Sequence, residues 1–307
     1  MKKEVKRDVK INQKIITIII LLSLIGVFTI FYSNKPSEST NLTQYAIKEF
    51  DQNESDLQIY KNMRFNKRLI SFNIDNTCND FQKNRINNSF NIITNETRTL
   101  WFYNVTKNED IFITCNESEN ISEGYVKVGE GGAYSVIYTG DYHVINKGKI
   151  TLFNKSEFCD YPNTIMHELL HVFGFKHLVN NNSIMHNVSN CNQKLDSNII
   201  KELIKLYNIQ EVPDLSFEDV NFQKNSRYLN FEAVVLNRGL REGNNITLDV
   251  SLSNKKIKII DLGSIKPGEG KTIKVENLFI NNNKKINLIL QTKRDINLNN
   301  NLLEIIL

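Results

Sequence analysis

The sequence predicts an α+β domain followed by an all-β sandwich. Three observations carry that expectation. Between residues 68 and 208, short runs of strand formers are interleaved with segments of helical period. At "EVPDL" (211 to 215) the texture changes. Beyond it, alternating runs separated by turn signals continue to the end, with no histidine and no cysteine.

The amino-terminal end comes first. Lys2, Lys3, Lys6, Arg7, Lys10 and Lys14 mark residues 1–14 as a basic tail. Residues 15–32, "IITIIILLSLIGVFTIFY", carry no charge, which is enough apolar chain for a short membrane span. A basic flank stays inside, so 15–32 reads as a transmembrane signal anchor, with a cytoplasmic amino terminus and the bulk outside. The competing reading is a cleaved signal peptide and a secreted product. It lacks the small residues a cleavage site needs, because only Ser33 follows "FTIFY". Residues 33–60 are polar and form the expected stalk.

Residues 61–210 form the expected α+β domain. "RLISFNI" (68–74) alternates as a strand does. Phe81, Ile86, Phe90 and Ile93 are spaced for a helix. "LWFYNV" (100–105), "DIFITC" (110–115), "EGGAYSVIY" (130–138) and "GKITLF" (148–153) predict strands. Leu195, Ile199, Leu203 and Leu206 make one stripe of a closing helix with Asp196 as its cap. Pro162 suits the first turn of the helix between them, with Asp160 or Asn163 as cap.

Composition excludes more than it assigns. With 38 Lys plus Arg against 34 Asp plus Glu, the net charge of +4 is diffuse and gives no nucleic-acid signal. Four cysteines, Cys78, Cys115, Cys159 and Cys191, contain no C-x-x-C pair and allow three disulfide pairings. Cys78–Cys115 with Cys159–Cys191 closes two local loops and is the expected pairing. Each loop contributes roughly 4 kcal/mol in the chain-entropy account, as an upper figure.

Histidine is scarce, yet three of the five lie in "HELLHVFGFKH" (167–177). His167 and His171 are i and i+4, on one face of a helix. Gly174 can adopt left-handed dihedrals and stop that helix. The chain can then fold back and bring His177 to the same point. Three imidazoles with a fourth position open to water make a catalytic rather than a structural zinc site. His143 and His186 read as surface residues.

His167, Glu168, His171, Gly174 and His177 match H-E-x-x-H-x-x-G-x-x-H, and Met185 follows in "SIMHN" (183–187). In this the chain resembles the metzincin zinc metalloproteases. The short gap from His177 to Met185 is matrixin-like. The glutamate that astacins carry after the third histidine is Leu178 here, and their tyrosine two after the methionine is Asn187. The resemblance implies a mixed sheet behind an active-site helix, one catalytic Zn2+ on His167, His171 and His177, Glu168 as general base, and Met185 as an apolar floor. It implies a protein or peptide substrate lying along an edge strand, for which "GGAYSVIY" is the candidate.

Residues 213–307 resemble the immunoglobulin-like CARDB module through "PDL", "NRG", "NNITLDVSL", "LGSIKPGEGKTIKV" and "NNNLLEI". That resemblance implies a cell-surface partner for the sandwich. Lacking catalytic residue types, the module is expected to be dispensable for chemistry. The whole reads as a membrane-anchored, extracytoplasmic zinc endopeptidase. The alternative is a cell-surface adhesion protein using a metzincin shell as scaffold, which would not need the intact Glu168.

Overall fold

The computed structural model describes residues 57–116, 120–122, 125–153, 159–253 and 255–307. The basic tail, the apolar run at 15–32 and the expected stalk up to residue 56 lie outside the described residues. Among the described residues, no helix is long and apolar enough to cross a membrane.

The chain starts with β1 (Met63–Phe65) and β2 (Leu69–Ile74), then the helix α1 (Asp80–Thr97). Next come β3 (Trp101–Asn104), β4 (Ile111–Cys115), the small hairpin β5 (Asn120–Ser122) and β6 (Tyr125–Lys127), β7 (Gly129–Tyr138) and β8 (His143–Leu152). Two further helices, α2 (Asn163–Val172) and α3 (Ser197–Asn208), complete this part. Six strands make one sheet in the order β1-β8-β4-β2-β3, with β7 on the other flank of β8. Every pairing in it is parallel except β7 with β8. The candidate edge strand is therefore an edge strand, and it runs against the rest.

Local sequence explains α1 well. Asn79 accepts from the Gln82 N–H, and the Gln82 side chain accepts from the Asn79 N–H, a reciprocal capping box. Ile86, Phe90 and Ile93 are buried, and Phe90 stacks on Phe72 at 4.2 Å and lies 4.5 Å from Phe102. Phe81 departs from the expected stripe: it is 49% exposed, with the Arg85 guanidinium over its ring. The first turn points it away from the sheet. Cys78–Cys115 forms as expected and ties the entry of α1 to the end of β4.

One buried charge stands out. Arg64 is fully buried in β1, with its guanidinium over the Tyr207 ring at 4.5 Å. It donates to the Phe65 carbonyl at 2.9 Å and to the Leu206 carbonyl at the last turn of α3. A cation there faces the negative end of that helix, which offsets part of its desolvation. The Tyr207 hydroxyl accepts the Phe65 N–H, so β1 and α3 are fastened twice.

The last part of the chain holds β9 (Leu215–Asn225), β10 (Tyr228–Asn237), β11 (Gly243–Leu252), β12 (Lys255–Ile265), β13 (Gly270–Phe279), β14 (Lys285–Gln291) and β15 (Leu302–Ile306). They form an antiparallel three-stranded sheet, β13-β10-β9, and a four-stranded sheet, β12-β11-β14-β15. Alternate residues point inward: Leu229, Phe231, Ala233 and Val235 from one sheet meet Ile246, Leu248, Val250, Ile286, Leu288 and Leu290 from the other. The immunoglobulin-like sandwich is the expected one. Its core is separate from the core of the α+β part.

Candidate metal and catalytic centre

Helix α2 starts without a side-chain cap. Pro162 occupies the N-cap position rather than the first turn, and neither Asp160 nor Asn163 caps. Asn163 is buried and donates instead to the carbonyls of Asn190 and Gln193. Its amide is committed to the loop that carries Cys191, whose disulfide to Cys159 forms as expected. That loop and the start of α2 are thus joined covalently and by hydrogen bonds.

The carboxyl end of α2 decides where His177 goes. The Gly174 N–H bonds the His171 carbonyl and the Phe175 N–H bonds the Leu170 carbonyl, each at 3.0 Å. These are the two bonds of a Schellman stop, with Gly174 at φ +83° as its left-handed residue. A methyl group on Gly174 would also stand 2.3 Å from the Met63 sulfur. The returning segment is then held from outside: Ile59 N–H bonds the Gly174 carbonyl and Lys176 N–H bonds the Leu57 carbonyl. Buried Gln58 donates to the carbonyls of Met63 and Phe173 and accepts from the Met63 N–H.

His177 arrives where expected. Its Nε2 lies 3.2 Å from Nε2 of His167 and 3.1 Å from Nε2 of His171, and the helical pair is 2.9 Å apart. His167 Nδ1 lies 2.7 Å from the Ile184 carbonyl and His171 Nδ1 lies 2.8 Å from the Phe175 carbonyl. A carbonyl only accepts, so both Nδ1 atoms carry the proton and both Nε2 atoms are lone pairs. Lone pairs facing each other at this distance repel unless a cation lies between them. Imidazole ligands at 2.0–2.1 Å from a tetrahedral zinc would be about 3.3 Å apart. The three donors fit such an ion. Burial holds the imidazoles of His167 and His171 in the neutral form that ligands need, down to about 4 and about 3. Burial also lowers the His177 value.

The turn at Met185 adjoins the cluster, because the Ile184 carbonyl before it faces His167 Nδ1. Met185 is fully buried, and its N–H bonds Ser183 Oγ at 3.0 Å. Ser183 Oγ in turn donates to Asp196 Oδ2 at 2.6 Å. Asp196 stands at the N-cap of α3 but makes no side-chain cap bond; its carboxylate fastens the methionine turn instead. The Leu178 N–H bonds the Met185 carbonyl, which locks the His177 segment to the same turn. Of the other histidines, His143 stacks on Tyr60 at 4.7 Å, and His186 Nδ1 accepts the Val188 N–H.

Glu168 is buried beside the cluster, and burial pushes its carboxyl up to about 8. A dication nearby opposes that shift, because it favours the carboxylate. Strand β7 passes so close that glycine is required. A methyl group on Gly131 would stand 2.2 Å from the Glu168 carbonyl oxygen. On Gly129 it would stand 2.7 Å from Glu168 Cγ. The residues that orient the imidazoles are backbone carbonyls, which no side-chain pattern announces. Gln58 also carries no signal. Gly129 and Gly131 do, because glycines inside a strand pattern mark close backbone approach.

Residues 64–208 match the family model of the matrixin peptidases. This stretch is a matrixin-like domain. The match supports a metalloprotease-like domain, and the three histidines that converge lie within the matched residues. Among solved structures, the chain is similar to a CARDB domain from Pyrococcus furiosus, at 21% identity and a TM-score of 0.26, covering 30% of this chain and 90% of that one. It is also similar to a domain of a protein named as a cell surface protein from Methanosarcina acetivorans, at 13% identity and a TM-score of 0.26, covering 30% of this chain and 88% of that one. No curated protein matches the chain.

Proposed function

We propose that the matrixin-like domain is a zinc-dependent endopeptidase, held by residues 15–32 in the membrane with the bulk of the chain outside. The observation that carries the reading is the convergence of three imidazole Nε2 atoms within 3.2 Å of one another, with the buried Glu168 one residue along the same helix. His167, His171 and His177 would hold one zinc ion. When bound, zinc supplies Lewis acidity to the scissile carbonyl and to a water molecule. Glu168 accepts the proton of the attacking water and passes it to the leaving amine nitrogen. Among the described residues β7 is paired along one edge only, and its other edge supplies backbone groups for an extended peptide. Met185 supports the imidazoles from below and takes no part in proton transfer. The sandwich is an accessory module for a cell-surface partner.

Two formed disulfides support an oxidising compartment. The basic flank before residue 15 supports the orientation. The activity is tested by incubating the full chain, with zinc and after chelation, with a proteome-derived peptide library and sequencing the products. Cleavage that zinc restores after chelation is expected; no cleavage in either state rejects the enzyme. Orientation is tested with a cysteine placed in the stalk of cell-expressed protein. A membrane-impermeant reagent should label it in intact cells, and labelling only after lysis rejects the placement.

A further inference from the structure

The turn between β7 and β8 does not end in solvent. Thr139 is fully buried, and its hydroxyl donates to the Arg238 carbonyl at 2.8 Å, in the "NRG" loop of the sandwich. The Arg238 side chain lies against Gly140: a methyl there would stand 3.3 Å from the guanidinium. That guanidinium lies 3.9 Å from the Asp141 carboxylate, and its Nε donates to Glu218 of β9 at 2.6 Å. On the other side, the "KPGEG" turn closes in. A methyl group on Gly268, at φ +73°, would stand 2.7 Å from the Tyr138 carbonyl oxygen.

Both sandwich loops are held rigidly from within. Asn237 is fully buried; its amide donates to the Arg241 and Ile265 carbonyls and its Oδ1 accepts the N–H groups of Asp214 and Gly239. The Asn237 backbone bonds Glu269 and Gly268 across the two loops. The turn itself is closed by the Thr139 N–H to the Tyr142 carbonyl. The contact therefore joins one stiff element to another.

Strand β7 is the link to chemistry. It runs from Gly129 and Gly131, against Glu168, to Tyr138, against the sandwich. From Gly131 to Tyr138 that path is about 23 Å at the usual strand rise. It has one β8 partner strand and, among the described residues, no other. The ladder is interrupted near Tyr134, where the register with β8 shifts. A bulged edge strand held on one side is free to sway unless its far end is fixed.

We infer that the sandwich is part of the substrate-binding apparatus: Arg238 and the Gly268 turn are positioning elements that fix the far end of β7 and so set the path an extended polypeptide follows to Glu168. The inference rests on the proposed peptidase reading for its kinetic consequence, but not for its structural one. The substrate class is a chain extended over several residues on the side of the scissile bond that follows β7 toward Tyr138. Such a chain runs up to the sandwich loops, whereas a di- or tripeptide does not reach them.

The test uses the full chain and two variants, Arg238→Ala on the sandwich side and Thr139→Val on the other. Amide hydrogen exchange is read at β7 first. Exchange across residues 133–138 should rise about threefold to tenfold in both variants, the loss expected for one partly buried contact, with the sandwich strands β11 and β14 unchanged. With an extended peptide, KM should rise by a similar factor while kcat falls less, and Arg238→Lys should recover part of it. Unchanged exchange at 133–138 in Thr139→Val overturns the inference, whatever the activity. Faster exchange with KM unmoved also overturns it, because the strand would then be fixed without consequence for substrate. If the wild-type chain cleaves nothing, the peptidase reading fails and the exchange result still decides whether the sandwich holds β7.

Discussion

Strand β7 starts against Glu168, next to His167 in the chain, and ends at the junction with the sandwich; the histidine cluster and that junction are held by opposite means. The cluster is local. One helix, one Schellman stop and one methionine turn bring three rings together, and two of the rings are oriented by backbone carbonyls. The junction is long-range. It joins residues 99 apart in sequence through one hydroxyl, one guanidinium and one close backbone approach. The difference teaches where function is brittle. On the proposed reading, a change in the cluster removes a ligand or a base outright. A change at the junction shifts how substrate lies, by degrees.

The largest effect should come from Glu168→Ala. Losing a general base lowers a rate by about 10² to 10⁴. Cleavage should fall by that factor, with thermal unfolding read beside it because the side chain is buried against β7. A variant cleaving at near the wild-type rate would put the proton transfer elsewhere and erase the contrast with the junction.

Next is the covalent tie between the segment entering α2 and the Cys191 loop. Replacing Cys159 and Cys191 together by serine should cost about 2 to 4 kcal/mol of stability, read by denaturant unfolding. If the cluster depends on that tie, zinc should also be lost at lower denaturant than global unfolding. Coincident loss would show that the loop and the core unfold together.

A smaller effect tests the methionine turn. Ser183→Ala removes one buried hydroxyl that links Met185 to Asp196 and should cost about 1 to 2 kcal/mol. Zinc should be retained, with faster exchange at the Met185 amide. No change at that amide would mean that the turn is held by packing alone.

Much of the cluster was legible because its determinants are side chains at fixed spacing. His167 and His171 at i and i+4, Gly174 at the stop, and His177 beyond it each follow from helix geometry. The same holds for the two disulfides and for the alternation that gave the sandwich. Other features depend on partners far away in sequence. Asp196 reads as a helix cap, but Ser183 competes for its carboxylate and wins. Asn163 reads as a cap and is taken by the Cys191 loop. Phe81 fits a helical stripe, yet the first turn of α1 points it outward. The residue types of the sandwich say nothing of backbone approach to its neighbours. Gly268 and Thr139 make that contact, and neither carries a pattern that names its partner.

The central claim is that three imidazoles, one of them from beyond the helix stop, hold the metal that Glu168 serves. Zinc per chain after dialysis, measured side by side for the wild type, Glu168→Ala and His177→Ala, tests it most directly. Wild type and Glu168→Ala should each retain one zinc per chain, and His177→Ala should lose it, because two ligands are too few for a firm site. Equal retention in all three would remove His177 from the ligand set and contradict the account.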